Sequence, residues 1–214
     1  MSTFMRSPRE CGSWFWDLEE VAVPGLESAL TAAAKMSEVL QRRDLLTPQR
    51  IEYGWYVLDV GDIGVTTGLA LTVPLEDDCL PGRVVSSRPS GFPSAEVDDI
   101  HVAGPGNWID AAGAAHSEPR LIELSVSPAP VGLSAEISVH HDIWAWYDFT
   151  GTPHPEVYQR NAPRLAAALE ELNSVLGVRG EPGEATYFGS ATNLGIATPD
   201  ALADGGGPSV MDWL

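Results

Sequence analysis

Ile51-Glu-Tyr-Gly-Trp-Tyr-Val-Leu58, then Gly61-Asp62, then Val65-Thr-Thr-Gly-Leu-Ala-Leu-Thr-Val73 is the stretch on which the fold class turns. The first run is rich in aromatic and β-branched residues, the side chains that fit a pleated, half-buried surface. The second alternates, so that Val65, Thr67, Leu69, Leu71 and Val73 share one face of a strand. With Gly61-Asp62 as the turn between them, the two runs predict an antiparallel hairpin.

Upstream, Val23-Pro24-Gly25 opens a segment with Leu26, Leu30, Ala33, Ser37 and Leu40 at steps of four and three. That spacing predicts an amphipathic helix ending near Arg42-Arg43, where basic side chains suit the negative end of the helix dipole, and Thr47-Pro48 stops it. Downstream, glycine and proline punctuate residues 76 to 119, with short strands expected around Arg83 to Ser87 and Val97 to Ala103, loop elsewhere, and Gly104-Pro-Gly106 as a turn. Strand pattern returns in Arg120-Leu-Ile-Glu-Leu-Ser-Val126 and in Ala135 to Phe149, with Pro128-Ala-Pro-Val-Gly132 as their hairpin connection. A last helix is expected from Asn161 as N-cap, with Pro163 in its first turn, through Leu165, Leu169, Leu172 and Leu176 to Gly177 as a left-handed C-terminal residue. The sum is an α+β fold, with two main helices packed on a mostly antiparallel sheet of five to seven strands. Residues 1 to 204 read as one domain and residues 205 to 214, which begin Gly205-Gly-Gly-Pro208, as a flexible tail with an apolar end at Val210-Met-Asp-Trp-Leu214. That end either packs back on the body or inserts into a partner.

Composition narrows the function. The 214 residues carry 30 acids against 12 bases, a formal net charge of −18. Residues 1 to 50 account for only −1 of it and residues 51 to 214 for −17. Nucleic acid and anionic membranes are poor partners for such a chain, because neutralising phosphate needs clustered Lys and Arg. No apolar stretch approaches the roughly 20 residues of a bilayer span, and the N-terminal residues lack the apolar core of a secretory signal, so a cytoplasmic location is expected. Cys11 and Cys79 are expected as free thiols. Phosphate-binding, dinucleotide-binding and serine-hydrolase glycine motifs do not occur, and no cofactor is implied.

The segment Ile137-Ser-Val-His-His-Asp-Ile-Trp-Ala-Trp-Tyr-Asp-Phe149 holds the candidate binding residues. Read as one strand, it puts Val139, His141, Ile143, Ala145, Tyr147 and Phe149 on a core face. His140, Asp142, Trp144, Trp146 and Asp148 then share the other, an amphipathic surface of indoles and charges suited to recognising a partner or lining a pocket. His140 and Asp142 would also point the same way, as acid, base or metal ligands with His101, Asp99 or His154, although the spacing matches no specific metal motif and no metal site is assigned. Asp77-Asp78 and Asp98-Asp99 read as solvated acidic pairs.

Asp142-Ile-Trp144, followed by Asn161-Ala-Pro-Arg-Leu165 and Leu169 to Leu172, resembles the C-terminal half of small uncharacterised actinobacterial proteins. In size, acidity and α+β layout the chain also resembles immunity proteins of bacterial toxin systems. That resemblance implies a non-enzymatic module that binds a basic protein, the acidic field steering the partner in and Trp144 and Trp146 anchoring it. The alternative is an enzyme, small-molecule or metal-dependent, with a pocket near His140 and Asp142 between the sheet and residues 76 to 119.

Overall fold

A computed structural model describes residues 4–129 and 132–214. It is an α+β fold. Seven strands form one sheet in which every neighbouring pair is antiparallel: β1 (Gly12–Asp17), β2 (Arg50–Val57), β3 (Gly61–Ala70), β4 (Glu96–Ala103), β7 (Glu123–Ser127), β8 (Ser134–Val139) and β9 (Glu181–Pro182). Their spatial order is β3-β2-β4-β7-β8-β1-β9. Two small hairpins, β5 (Pro105–Ile109) with β6 (Ala115–Pro119) and β10 (Ala191–Thr192) with β11 (Gly195–Ile196), stand apart from it.

Helices α1 (Leu26–Arg42), α2 (Leu80–Ser86) and α3 (Pro155–Leu176) complete the fold. Helix α1 packs on β4, β7 and β8 and against α3. The layer between them is the core, and the strand pairing shows why. Leu69, Ile51, Val102, Leu124, Ile137 and Trp14 lie side by side in register across the sheet, and all but the half-buried Leu69 are sealed from solvent. Removing that much apolar surface from water is the main favourable contribution to folding.

The decisive hairpin forms as β2 and β3, with its turn at Leu58–Val60, just before the expected Gly61-Asp62, and Asp59 in a left-handed conformation. The α1 stripe is also as expected, with Leu30, Ala33, Ser37 and Leu40 buried. Trp14-Phe-Trp16 is the centre of β1.

Several expectations are corrected. Residues 83 to 86 belong to the short helix α2, whose first turn holds Pro81, and not to a strand. Gly104-Pro-Gly106 is no turn. Pro105 accepts a hydrogen bond from the Thr47 N–H at 2.7 Å, Asn107 N–H donates to Asp44 at 2.7 Å, and a Cβ at either glycine would collide with the Thr47 or Leu45 carbonyl. Glycine is required there by close backbone approach. The connection read as Pro128–Gly132 includes Pro130 and Val131, which lie outside the described residues.

Helix α3 begins six residues before Asn161. Pro155 occupies its first turn with Glu156 beside it, the stronger start signal, and Gly177 ends it with φ 75°. Asn161 is an interior, fully buried residue with a different task. Its side chain accepts the Ile109 N–H at 2.8 Å and donates to the Ile109 carbonyl at 2.7 Å and to Val157 at 2.8 Å, tying the β5 hairpin to α3.

Among the described residues no helix is long and apolar enough to cross a membrane. The chain end does not stand free of the body in this structure. Gly207 N–H donates to Gly151 at 2.8 Å, Val210 N–H donates to Phe149 at 2.9 Å, and Trp213 stacks on Tyr187 at 4.4 Å.

Candidate functional site

The segment from His140 to Phe149 is not a continuation of β8. The strand ends at Val139, and Asp142–Trp144 form a single 3-10 turn. His141, Asp142, Ile143 and Trp144 are buried in succession, which a strand of period two cannot do. The turn arises because the two aspartates use their side chains on backbone donors, the habit that disfavours Asp in strands. Asp142 accepts the Met5 and Phe149 N–H groups, both at 3.5 Å. Asp148 Oδ1 accepts the Thr150 and Thr152 N–H groups at 2.9 Å and the Thr150 hydroxyl at 2.6 Å.

The five residues expected on one amphipathic face are therefore not brought together on a surface. Trp144 is fully buried, its indole N–H without an acceptor among the described residues, and Asp142 and Asp148 are also buried. His140 is half-buried, with Nε2 3.3 Å from the Ser138 hydroxyl and 3.6 Å from Glu123. Trp146 is half-buried, edge-on to Tyr158 of α3. The expected core face fares better: Val139, His141, Ile143, Tyr147 and Phe149 are indeed buried.

Residues 4 to 7 seal this region. Ser7 N–H donates to the His140 carbonyl at 2.8 Å, Arg6 bridges to His141, and Phe4 is sandwiched between His141 at 4.5 Å and Trp108 at 4.6 Å. Trp108 stacks in turn on His116 at 4.8 Å. Beneath this cover, burial pushes the Asp142 carboxyl up to about 7 and the His141 imidazole down to about 3. Neither ring nitrogen of His141 has a hydrogen-bond partner among the described residues, Glu118 being 3.8 Å away. A substrate would have to displace the strap to reach the Asp142 carboxyl, whereas His140 is half-buried. Among the described residues, no group of three or more His, Cys, Asp or Glu side chains is arranged to hold a metal ion.

The two cysteines are free. Burial pushes the Cys11 thiol up to about 12, whereas Cys79 is exposed, its thiol raised by a hydrogen bond to Asp77. Because the thiolate is the reactive form, iodoacetamide at pH 8 should label Cys79 alone in the native protein and both cysteines in denaturant, a count that mass spectrometry reads directly.

A surface with recognition character lies elsewhere, on the face of the sheet opposite the helices. Glu52, His101, Ser125, Glu136, Phe15 and Glu181 stand side by side in register across it, and none of them is buried. The register between β2 and β4 shifts next to this row, where Gly54 faces two residues, Asp98 and Asp99, and both are exposed. A bulge of this kind re-aims side chains, and here it adds two carboxylates to the open face. Glu136 lies at the centre. Burial raises its carboxyl, the Ser13 hydrogen bond opposes that, and Glu10 and Asp99 raise it further by repulsion, only partly balanced by His101.

Arginines pair with only part of this acidity. Glu52 is held by Arg50 at 2.7 Å and Arg120 at 2.8 Å, which lower its carboxyl, and Glu123 is held by Arg6 at 2.5 Å. Asp17, Asp98, Asp99, Glu136 and Glu181 have no ion-pair partner among the described residues. Phe15, 43% exposed, projects from among them. Pattern alone hid this face, since polar residues alternating with core positions are the ordinary look of a solvated sheet. The signal was Phe15, an aromatic out of phase with Trp14 and Trp16. No family model, no curated protein and no solved structure matches this chain.

Proposed function

We propose that this chain is a non-enzymatic binding module that receives a basic protein on the open face of its sheet, in concrete form an immunity-type protein neutralising a basic toxin or effector. The observation that carries the reading is a seven-stranded sheet with an open face, on which an exposed phenylalanine stands among carboxylates that have no arginine partner among the described residues. An aromatic anchor inside a charged rim is how interfaces concentrate binding energy, and the net charge of −18 would speed the encounter with a cationic surface. Cytoplasmic residence and the absence of nucleic-acid binding belong to the same proposal.

The test is affinity capture from the native lysate by the wild-type chain and by a variant carrying Phe15→Ala, Asp99→Asn, Glu136→Gln and Glu181→Gln. These side chains leave the core untouched, so the variant should fold. A basic protein held by the wild type at low salt, released at high salt and weakened at least about tenfold by the variant is the expected result. Equal capture by the variant would remove the sheet face from the claim. Loss of capture by Trp146→Ala with the face variant unaffected would return the site to residues 140 to 148.

A further inference from the structure

A second site lies on the helix-covered side of the molecule, at the end of β1 away from Asp17. A cavity of about 260 Å³ opens between the turn after Trp144, the segment Thr186–Ser190 and the chain end at Pro208–Val210. Four aromatic side chains, Tyr147, Phe149, Tyr187 and Phe188, line it, and so does Asp148. No lysine, arginine or histidine does. Ile196, another wall residue, packs against β1 at Gly12, which separates the cavity from the open sheet face.

We infer that this cavity is a binding site for a small organic ammonium ion with an aromatic or aliphatic body. Size sets the first limit, since 260 Å³ is just below the range of drug-sized ligand pockets and suits a one-ring molecule. Charge sets the second. Asp148 is the charged residue of the cavity wall, and three donors converge on its Oδ1. An ammonium N–H that meets this carboxylate makes a charge-assisted hydrogen bond with it. Aromatic walls favour the same cation through their quadrupoles. An anion would find no positive partner in the lining and would meet the field of a chain of net charge −18.

The chain end closes the site. Gly207 lies flat on the Tyr147 ring, where a Cβ would clash, and this contact sets the course of Pro208 to Val210 along the cavity wall. Two backbone hydrogen bonds and the Tyr187–Trp213 stack hold the segment, with Tyr187 and Trp213 both largely exposed. Such a contact set opens locally at little cost, so the end can release to admit a ligand and close over it.

The test uses the full chain labelled with nitrogen-15 and titrated with benzylammonium, benzyl alcohol and benzoate, observed by NMR. Benzylammonium should shift the amides of Ala145, Gly189 and Ser190 and the Trp213 indole to saturation. Benzyl alcohol should bind about tenfold more weakly, the difference being the cationic interactions, and benzoate should not saturate. Asp148→Asn should reduce benzylammonium to the affinity of the alcohol. Because Asp148 also holds Thr150 and Thr152, Tyr187→Ala provides a variant at a side chain 66% exposed, and it should weaken benzylammonium severalfold without unfolding the chain. Equal affinity for ammonium and alcohol, shifts scattered over the acidic surface without saturation, or unchanged affinity in Tyr187→Ala would overturn the assignment.

Discussion

Trp144→Ala is expected to destabilise the chain by about 3–5 kcal/mol, the range for emptying a buried aromatic position. Trp144 is fully buried in the turn that packs against α3, between His141-Asp142 and the half-buried Ala145, so the surrounding backbone cannot collapse into the space. Trp146→Ala, at a half-buried site, should cost roughly 1 kcal/mol by the same argument from lost buried area. Trp144→Phe is the informative control. It keeps much of the ring volume and deletes an indole N–H that has no acceptor among the described residues, so its cost should fall well below that of alanine. Chemical denaturation of the three variants reads all of this. Equal costs at positions 144 and 146 would refute the buried placement of Trp144. A practical consequence follows: loss of partner binding in Trp144→Ala would report unfolding, not a lost contact, whereas Trp146→Ala is a usable probe.

Asp142→Asn is expected to stabilise the protein at pH 8 by about 2–4 kcal/mol and to do little near pH 4. The sign follows from the carboxyl being raised from 3.8 to about 7 in the folded state. Between those values the unfolded chain ionises and the folded one stays protonated. Stability from this group is therefore fully present below pH 4, falls as pH rises, and is gone above about pH 7. His141 acts in the opposite sense. Its imidazole is lowered from 6.5 to about 3, so acid favours the unfolded chain and stability is lost as pH falls through that window. The two slopes oppose each other between about pH 4 and 6.5, which masks both in the wild type. The difference between wild type and Asp142→Asn isolates the aspartate. It should grow from near zero at pH 4 to its full value at pH 8, and a pH-independent difference would mean that Asp142 is ionised throughout.

These two residues also show where sequence pattern stops being informative. Read with a period of two, His140-His-Asp-Ile-Trp-Ala-Trp-Tyr-Asp148 puts His140, Asp142, Trp144, Trp146 and Asp148 on one side, as in a strand with one wet face. Here the polar members are as buried as the apolar ones. Burial became possible because backbone donors from distant and neighbouring residues, Met5 and Phe149 for Asp142, Thr150 and Thr152 for Asp148, take the place of water. A local cue was present in Asp148-Phe-Thr-Gly-Thr152, whose aspartate and glycine favour a turn. The Met5 donor, lying far off in the chain, left no mark in the segment itself. Asn161 misled in a related way. It has the chemistry of an N-cap, but its hydrogen bonds go to Ile109 on a separate hairpin.

The sequence by itself determined the α+β class, the β2–β3 hairpin, α1 with its buried stripe, and the end of α3 at Gly177. All of these rest on side-chain periodicity and on residues with special backbone preferences, which act within a few positions of the chain. The strong negative charge was equally plain. Only the tertiary structure decided which of the aromatic and acidic residues face solvent. Trp144 went inside because α3 closes over it, Phe15 stayed outside because no layer covers that side of the sheet, and Asp98 and Asp99 joined it through a bulge created by pairing with β2. Exposure is a property of what packs on a residue, and the packing partners here are separated from it by tens of positions along the chain.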